Sequence, residues 1–444
     1  MFKFLKKLWR DRRGNALVIA GAALPLIVGS AGLASDTIQW TLWKRQLQRT
    51  ADSAATAGVY AEVLGNSVGT CSSSNIPTAT YTDPVAYDIR KNNHTGMTPN
   101  CTVTNPPTTG SFSSDSMAVK VDLSVQRQLS FSSMFISTAP TINASATATI
   151  VPGGDYCAIS LIKTAATGIS AGGNATVNLG CGMITDSISM DAAVAFGSST
   201  VTASPIAAVG GIDASDNWGT GTVLQPFTLP QADPFANINP PTPTGCQKFS
   251  AWDTGNNNKP NGTVDLTAPG SPITAGGTYC LKESSGTLSI QGNVILPSGT
   301  YVLDQTSLSM TNNNASLTCL QCTFILTSST GSNIGNVNIN GGKLNLVAPD
   351  TGTYQGIMIY QDRRATSCTS NCNLINGNAN SVLQGALYFP NQQLTFLGTA
   401  GMNTNCLQMV ALTLTFSGNS AINNSCPAGS ASHSFTGRKV RLVA

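Results

Sequence analysis

The order of apolar and polar positions divides the chain into a helical N-terminal part and a longer part with strand-like alternation. Residues 14–35 form a run of 22 residues without a charge. At about 1.5 Å per residue, a helix of that length covers about 33 Å, which is enough to cross the hydrocarbon core of a bilayer. The run therefore predicts a transmembrane helix at 15–35, preceded by a short tail at 1–14.

A second helix is predicted directly after the span, at 36–66, because this segment contains no proline and repeats its apolar residues with helical spacing. Along one face of this helix the apolar side chains become smaller toward its C-terminal end. Small side chains let helices approach closely, so we predict a face that packs against partner subunits and supports self-association. The face consists of Leu47, Ala51, Ala54, Gly58 and Ala61. The alternative is a helix that packs on the downstream part of its own chain.

Beyond this helix the apolar positions alternate as they do in strands. Two half-buried strands, around residues 117–125 and 142–150, predict a small α+β module at 67–151. Short strands between Gly and Asn turns then fill 152–444, with no helical stretch long enough for a crossover helix. We predict a mainly β body resembling a parallel β-solenoid (β-helix), and a β-sandwich is the alternative. Residues 224–246 hold six prolines and predict an extended connector.

Charge fixes the expected orientation. Residues 1–14 carry six basic and one acidic residue, whereas the whole chain has a formal charge of only +3. Basic residues beside a span stay in the cytoplasm, so the N-terminus is predicted to be cytoplasmic and the body exported. The alternative is a cleaved signal peptide with a site at Gly32-Leu33-Ala34. No basic patch downstream indicates binding of nucleic acid.

The cysteines support an exported body, because disulfides persist in oxidising compartments. All twelve follow the span and occur in neighbouring pairs along the chain. We predict disulfides 71–101, 157–181, 246–280, 319–322, 368–372 and 406–426; the residues are Cys71, Cys101, Cys157, Cys181, Cys246, Cys280, Cys319, Cys322, Cys368, Cys372, Cys406 and Cys426. Zinc binding by 319–322 or 368–372 is the alternative, but the chain has only two histidines.

The N-terminal 60 residues resemble those of TadE/TadG-like proteins of the Tad (tight adherence, Flp pilus) system. The resemblance lies in Arg12-Arg13-Gly14, the span with Pro25 and Asp36, and the stretch LQRTADSAATAG at 47–58. It implies an anchor in the bacterial inner membrane, a periplasmic or cell-surface body, and other Tad/Flp pilus-assembly proteins as partners. Two family features are missing. Ile19 stands where processed prepilins have a glutamate, and no Asp-x-Ser-x-Ser run marks a metal-dependent adhesion site.

Candidate catalytic residues are sparse. Glycoside hydrolysis needs a pair of carboxylates and a lyase needs a base beside a stabilised carboxylate, but the acids of the body are scattered. Its densest charge cluster is 361–364 (QDRR), which is expected on a solvated loop. We therefore expect a structural, non-catalytic protein with no cofactor and no metal. A surface adhesin or glycan-binding module and a β-helix polysaccharide-active enzyme are the alternatives.

Overall fold

The computed structural model describes residues 12–94, 96–252, 262–376, 381–397, 402–418, 421–425 and 434–443. Most of the basic tail predicted at 1–14, and Cys426, lie outside these residues. The chain divides into two units. The first, the membrane-proximal unit, comprises Met1–Val151 with Val440–Ala444, and the second, the body, comprises Pro152–Lys439.

The described helices are α1 (Arg12–Val63) and α2 (Pro84–Asn92), with single 3-10 turns at Ile76–Thr78, Ser132–Met134 and Phe249–Ala251. The strands are β1 (Asn100–Thr104), β2 (Val119–Gln126), β3 (Thr141–Ser160), β4 (Ile169–Ala171), β5 (Thr176–Asn178), β6 (Gly182–Thr185), β7 (Ala193–Ala195), β8 (Thr200–Thr202), β9 (Ile206–Ala208), β10 (Leu224–Gln225), β11 (Thr263–Asp265), β12 (Gly277–Leu281), β13 (Thr287–Ile290), β14 (Asn293–Leu296), β15 (Gly299–Asp304), β16 (Ser307–Met310), β17 (Ser316–Leu320), β18 (Cys322–Thr327), β19 (Val337–Asn340), β20 (Lys343–Val347), β21 (Ile357–Gln361), β22 (Cys368–Asn376), β23 (Val382–Phe396), β24 (Met402–Phe416), β25 (Ala421–Ser425) and β26 (Phe435–Leu442).

The membrane-proximal unit packs the second half of α1 on a small antiparallel sheet. Strand β2 pairs with β1 on one side and with β3 on the other. Its alternating residues from Val119 to Val125 are buried, because side chains in a strand point alternately to opposite faces. Helix α2 covers the same core with Val85, Ala86 and Ile89. The predicted helices 15–35 and 36–66 are one continuous helix.

The body consists of parallel ladders in which most strands pair with the strand three places later. Strands β12, β13 and β14 pair with β15, β16 and β17, and these pair with β18, β19 and β20. The long strands β23 and β24 continue several ladders at once. Strands β4 to β25 pair in parallel throughout, whereas a sandwich is built from antiparallel sheets. The body is therefore mainly β with parallel strands, and the β-sandwich alternative is not supported.

Matched registers align apolar side chains into rows along the core. One row begins with Ile290, Met310 and Ile339 and continues through Ile375 and Phe396. Another runs from Tyr279 and Tyr301 through Phe324 to smaller residues. Because equivalent positions of successive strands stack directly, each apolar residue is buried by its neighbours in the row. Full burial of such a side chain contributes about 1.5–3 kcal/mol to stability.

The spatial order of the strands differs from their order in the chain. Strand β24, near the C-terminus, pairs with β3 and β4 at the start of the body. From there β3, β6 and β9 continue the stack in one direction, while β23, β21, β18, β15 and β12 extend it in the other. The connector 224–246 begins beside β9 and leads to Gln247, which bridges to Leu281 of β12. It thus returns along the flank of the stack.

The C-terminal boundary also differs from the prediction. The sequence assigned 152–444 to the body, but Val440–Ala444 group with the membrane-proximal unit. The backbone N–H of Val443 donates a hydrogen bond to the carbonyl of Thr147, 2.8 Å away, which ties these last residues to β3.

Candidate membrane anchor and assembly segment

The first half of α1 has the features of a membrane span. Among the residues that the structure describes, α1 is the one helix long and apolar enough to cross a membrane. Its large apolar side chains are solvent-exposed, including Leu24, Leu26 and Leu33 at 62%, 75% and 58%. The hydroxyl groups of Ser30 and Thr37 donate to carbonyls of the helix itself, at 3.0 and 2.8 Å. Exposed apolar side chains and internally satisfied polar groups both suit a lipid environment.

The small-residue face of α1 contacts its own chain and not a partner subunit. Leu47, Ala51 and Ala54 are fully buried in the hydrophobic core of the membrane-proximal unit. Ala61 is 9% exposed. A Cβ added at Gly58 would lie 2.8 Å from Val119 Cγ1 of β2 and 3.0 Å from Val85 Cγ2 of α2. The face is thus the contact between α1 and the rest of its own unit. The prediction that it packs against partner subunits is wrong, because a half-buried sheet needs this apolar stripe to close its core.

The polar side of α1 is also joined to its own unit. The Gln48 amide donates to the carbonyl of Ser145 at 2.7 Å and to Asp52 Oδ1 at 2.9 Å. The Lys44 ammonium donates to the carbonyl of Asn143, and the Gln46 amide to that of Asn92 at 3.1 Å. These bonds fix the rotation of the second half of α1 relative to the sheet.

Asp36 holds a loop against α1 at the end of the uncharged run. The side chain is 2% exposed. It accepts hydrogen bonds from the backbone N–H of Phe131 at 2.9 Å, the N–H of Ser132 at 2.6 Å and the Ser132 hydroxyl at 2.5 Å. In the sequence, Asp36 stands out only as part of the family resemblance, and no local pattern predicts the loop, because the contacts link residues 95 and 96 positions apart.

Disulfides occur at neighbouring cysteines along the chain. The bonded pairs are Cys71–Cys101, Cys157–Cys181, Cys246–Cys280, Cys319–Cys322 and Cys368–Cys372. Cys406 is also disulfide-bonded, while Cys426, its expected partner, lies outside the described residues. The zinc alternative fails at 319–322 and 368–372, since metal binding requires thiolates and these sulfurs are oxidised. No group of three potential metal ligands occurs in the described residues.

The most perturbed acid of the body lies under the connector. Burial raises the pKa of Asp186 to about 6, opposed only in part by the Gln231 N–H and by the charge of Lys163. Asp186 Oδ1 accepts the Gln231 N–H at 2.7 Å. Nearby, Asp233 Oδ2 accepts a hydrogen bond from the Tyr388 hydroxyl at 2.7 Å. Asp186, Gln231 and Asp233 border a cleft of about 290 Å³ together with Arg363. Asp186 thus binds the connector from the body, and Asp233, which belongs to the connector, binds Tyr388 of β23.

The charge cluster 361–364 is only partly solvated: the Arg364 side chain is 53% exposed, but the cluster begins with two buried residues. Gln361 and Asp362 are 0% and 2% exposed. Asp362 pairs with Arg364 at 2.6 Å, and although burial alone would raise its pKa, hydrogen bonds from Arg364 and Thr327 hold that pKa below the ordinary value. Arg363 donates to the connector carbonyls of Ile238, at 2.7 Å, and Phe235. Within the cluster, Arg363 therefore holds the connector against the stack of strands.

An uncharged groove of about 900 Å³ follows another flank of the body. Hydroxyl and amide side chains repeat along it because successive strands place equivalent positions side by side: Thr287 pairs with Ser307, and Ser309 with Asn338. Gln393 donates to the Thr415 hydroxyl at 2.9 Å within the groove. Such a surface offers many hydrogen-bond donors and acceptors without charge.

Comparisons with known proteins place only the N-terminal segment. No curated protein and no solved structure matches the chain. Residues 14–61 match the family model described as putative Flp pilus-assembly TadE/G-like. The resemblance predicted for the first 60 residues is thereby confirmed, and the chain carries a segment associated with Flp/Tad pilus assembly.

Proposed function

We propose that the protein is a membrane-anchored, non-catalytic structural component of Flp/Tad-type pilus assembly or surface attachment. One observation carries the proposal. The segment that matches the TadE/G-like model, 14–61, coincides with α1, a helix with an exposed apolar first half and a second half buried in a folded unit. A span that continues without interruption into a domain core couples that domain mechanically to the membrane.

The proposed location is the bacterial inner membrane, with a single span, a cytoplasmic N-terminus and a body in the periplasm or at the cell surface. Six basic residues on one side of the span support this orientation. Disulfides in both units support an oxidising compartment for everything after the span. The proposed partners are other Tad/Flp assembly proteins.

For the body we propose a β-solenoid. Three parallel ladders advance together, since each strand pairs with the strand three places later, and apolar rows run between them. A solenoid suits a spacer or scaffold, because its length scales with the number of repeats.

The decisive experiment is deletion and complementation in the host bacterium. We expect deletion to abolish or reduce Flp-type pili, the full chain to restore them, and a secreted form lacking residues 1–35 to fail. A matched control carries Gly29→Leu, because a Cβ there meets nothing within 4 Å. Normal piliation in the deletion strain would contradict the role in pilus assembly, and turnover of uronic-acid polymers by the exported part would contradict a non-catalytic protein.

A second candidate function is glycan binding by a surface adhesin. The uncharged groove favours it, because rows of hydroxyl and amide groups can exchange hydrogen bonds with sugar hydroxyls. This function predicts that deletion lowers adherence and leaves pili intact. Alanine at Ser309 and Asn338 should then weaken retention of the purified protein on immobilised glycans, while alanine at exposed Lys343 should not.

A further inference from the structure

An exposed apolar loop lies beside the exported end of the span. The loop, which we call the FSSMFI segment, comprises residues 131–136 and includes the 3-10 turn Ser132–Met134. Met134, Phe135 and Ile136 are 76%, 75% and 58% exposed. Three consecutive large apolar side chains in water are unfavourable, and such a patch indicates a contact surface.

The segment is held rigidly in this exposed position. Two backbone N–H groups and one hydroxyl bind the Asp36 carboxylate, which satisfies the polar groups of the turn. The Phe131 ring covers Gly32, where an added Cβ would lie 2.3 Å from the ring. The Phe131 and Phe135 ring centroids are 5.3 Å apart. The loop is thus held against α1 by the Phe131 ring and by the Asp36 carboxylate, while Met134, Phe135 and Ile136 stay exposed.

The position of the contact along α1 sets the depth of the segment. Gly32 belongs to the uncharged run 14–35 and Asp36 follows it directly. At about 1.5 Å per residue, Trp40 lies about 12 Å beyond Gly32 along the helix. Trp40 is 40% exposed, and the Arg127 guanidinium lies 4.5 Å from the centroid of the Trp43 ring. Tryptophans and basic residues at this level are typical of the membrane–water interface.

We propose that the FSSMFI segment inserts Met134, Phe135 and Ile136 into the exported leaflet of the membrane, at the boundary between headgroups and acyl chains. The occupant of this surface is lipid, because the segment continues the apolar surface of the span at the same depth. The segment forms a second membrane contact beside the helix and fixes the tilt and rotation of the membrane-proximal unit relative to the bilayer. This inference rests on the proposed membrane anchor but not on a role in pili.

The test places an environment-sensitive fluorescent amino acid at position 135 of the full chain, reconstituted alone into phosphatidylcholine vesicles. Lipids brominated near the headgroup end of their acyl chains then serve as quenchers. Insertion of an apolar side chain by about 5–10 Å predicts a blue-shifted emission that falls by about half in brominated vesicles. A matched control carries the same fluorophore at Tyr81, which is 84% exposed.

Tyr81 is a suitable control because it precedes α2, whose Val85 side chain lies beside Gly58. Gly58 is about 39 Å along the helix from Gly32, so this fluorophore should stay unquenched. A chain that resists alkaline extraction but shows no quenching at 135 would overturn the inference and leave the anchor intact. A blue shift that depends on protein concentration and not on bromine would assign the surface to a second copy and also overturn it. Extraction by alkali would contradict the anchor itself.

Discussion

The contact at Gly58 allows a direct test of which surface the small-residue face serves. Replacing Gly58 with leucine adds a side chain where the first carbon alone would lie 2.8 Å from Val119 Cγ1 and 3.0 Å from Val85 Cγ2. Carbon atoms pack at about 3.5–4.0 Å, so α1 must move away from β2 and α2. Overpacking of a buried site costs about 1–3 kcal/mol. Since 1.4 kcal/mol corresponds to about tenfold, unfolding of the membrane-proximal unit should become about 5- to 150-fold more favourable.

The assay is guanidinium unfolding of the detergent-solubilised full chain, with proteolysis of the native state as a second measure of opening. Gly29→Leu is the matched control, because nothing lies within 4 Å of its added Cβ, and its midpoint should not change. If Gly58→Leu fails to fold, Gly58→Ala gives a milder version. A Gly58→Leu chain as stable as the wild type that loses only its association with other proteins would refute the burial argument and restore the partner face.

Three further predictions concern the body. Because the folded pKa of Asp186, about 6, lies above its ordinary value of 3.8, the folded state binds the proton more tightly; the free energy of unfolding should fall as pH rises from about 4 to 6. Asp186→Asn should remove that part of the slope in guanidinium titrations, and an unchanged slope would contradict it. Arg363→Ala removes the bonds to the Phe235 and Ile238 carbonyls, so proteinase K should cut the connector faster than in a Lys343→Ala control; equal rates would argue against fastening. Replacing Cys246 and Cys280 with alanine opens a loop of 34 residues and should cost about 3.8 kcal/mol by the chain-entropy estimate, measurable as a lower unfolding midpoint, whereas an unchanged midpoint would exclude this constraint.

The sequence predicted the elements whose pattern is local. The uncharged run indicated a helix able to span a membrane, and the alternation around Val119 and Ala144 matches the burial in β2 and β3. Neighbouring cysteines proved to be bonded where both partners are described. Helix α2 escaped notice because it has only nine residues and begins with a proline among turn-forming residues.

Long-range arrangement could not be predicted in the same way. An apolar helical stripe has the same spacing whether it covers its own sheet or a partner, so the sequence could not decide the role of Ala51 and Ala54. The order of the ladders depends on pairs such as Ala411 with Ser160, and strand alternation does not specify which strand is the neighbour. The burial of Asp362 depends on Arg364 and Thr327, which a count of charges does not reveal.

The returning connector changes how the body should respond to tension. In a stack whose repeats touch only their neighbours, a pulled end peels off one layer at a time. Here the connector starts beside β9 and reaches β12, and it is bound between them at Tyr388, Tyr360 and Arg363. Force applied at one end of the body is therefore shared by the strands to which the connector is bound. These strands should unfold together and not one after another.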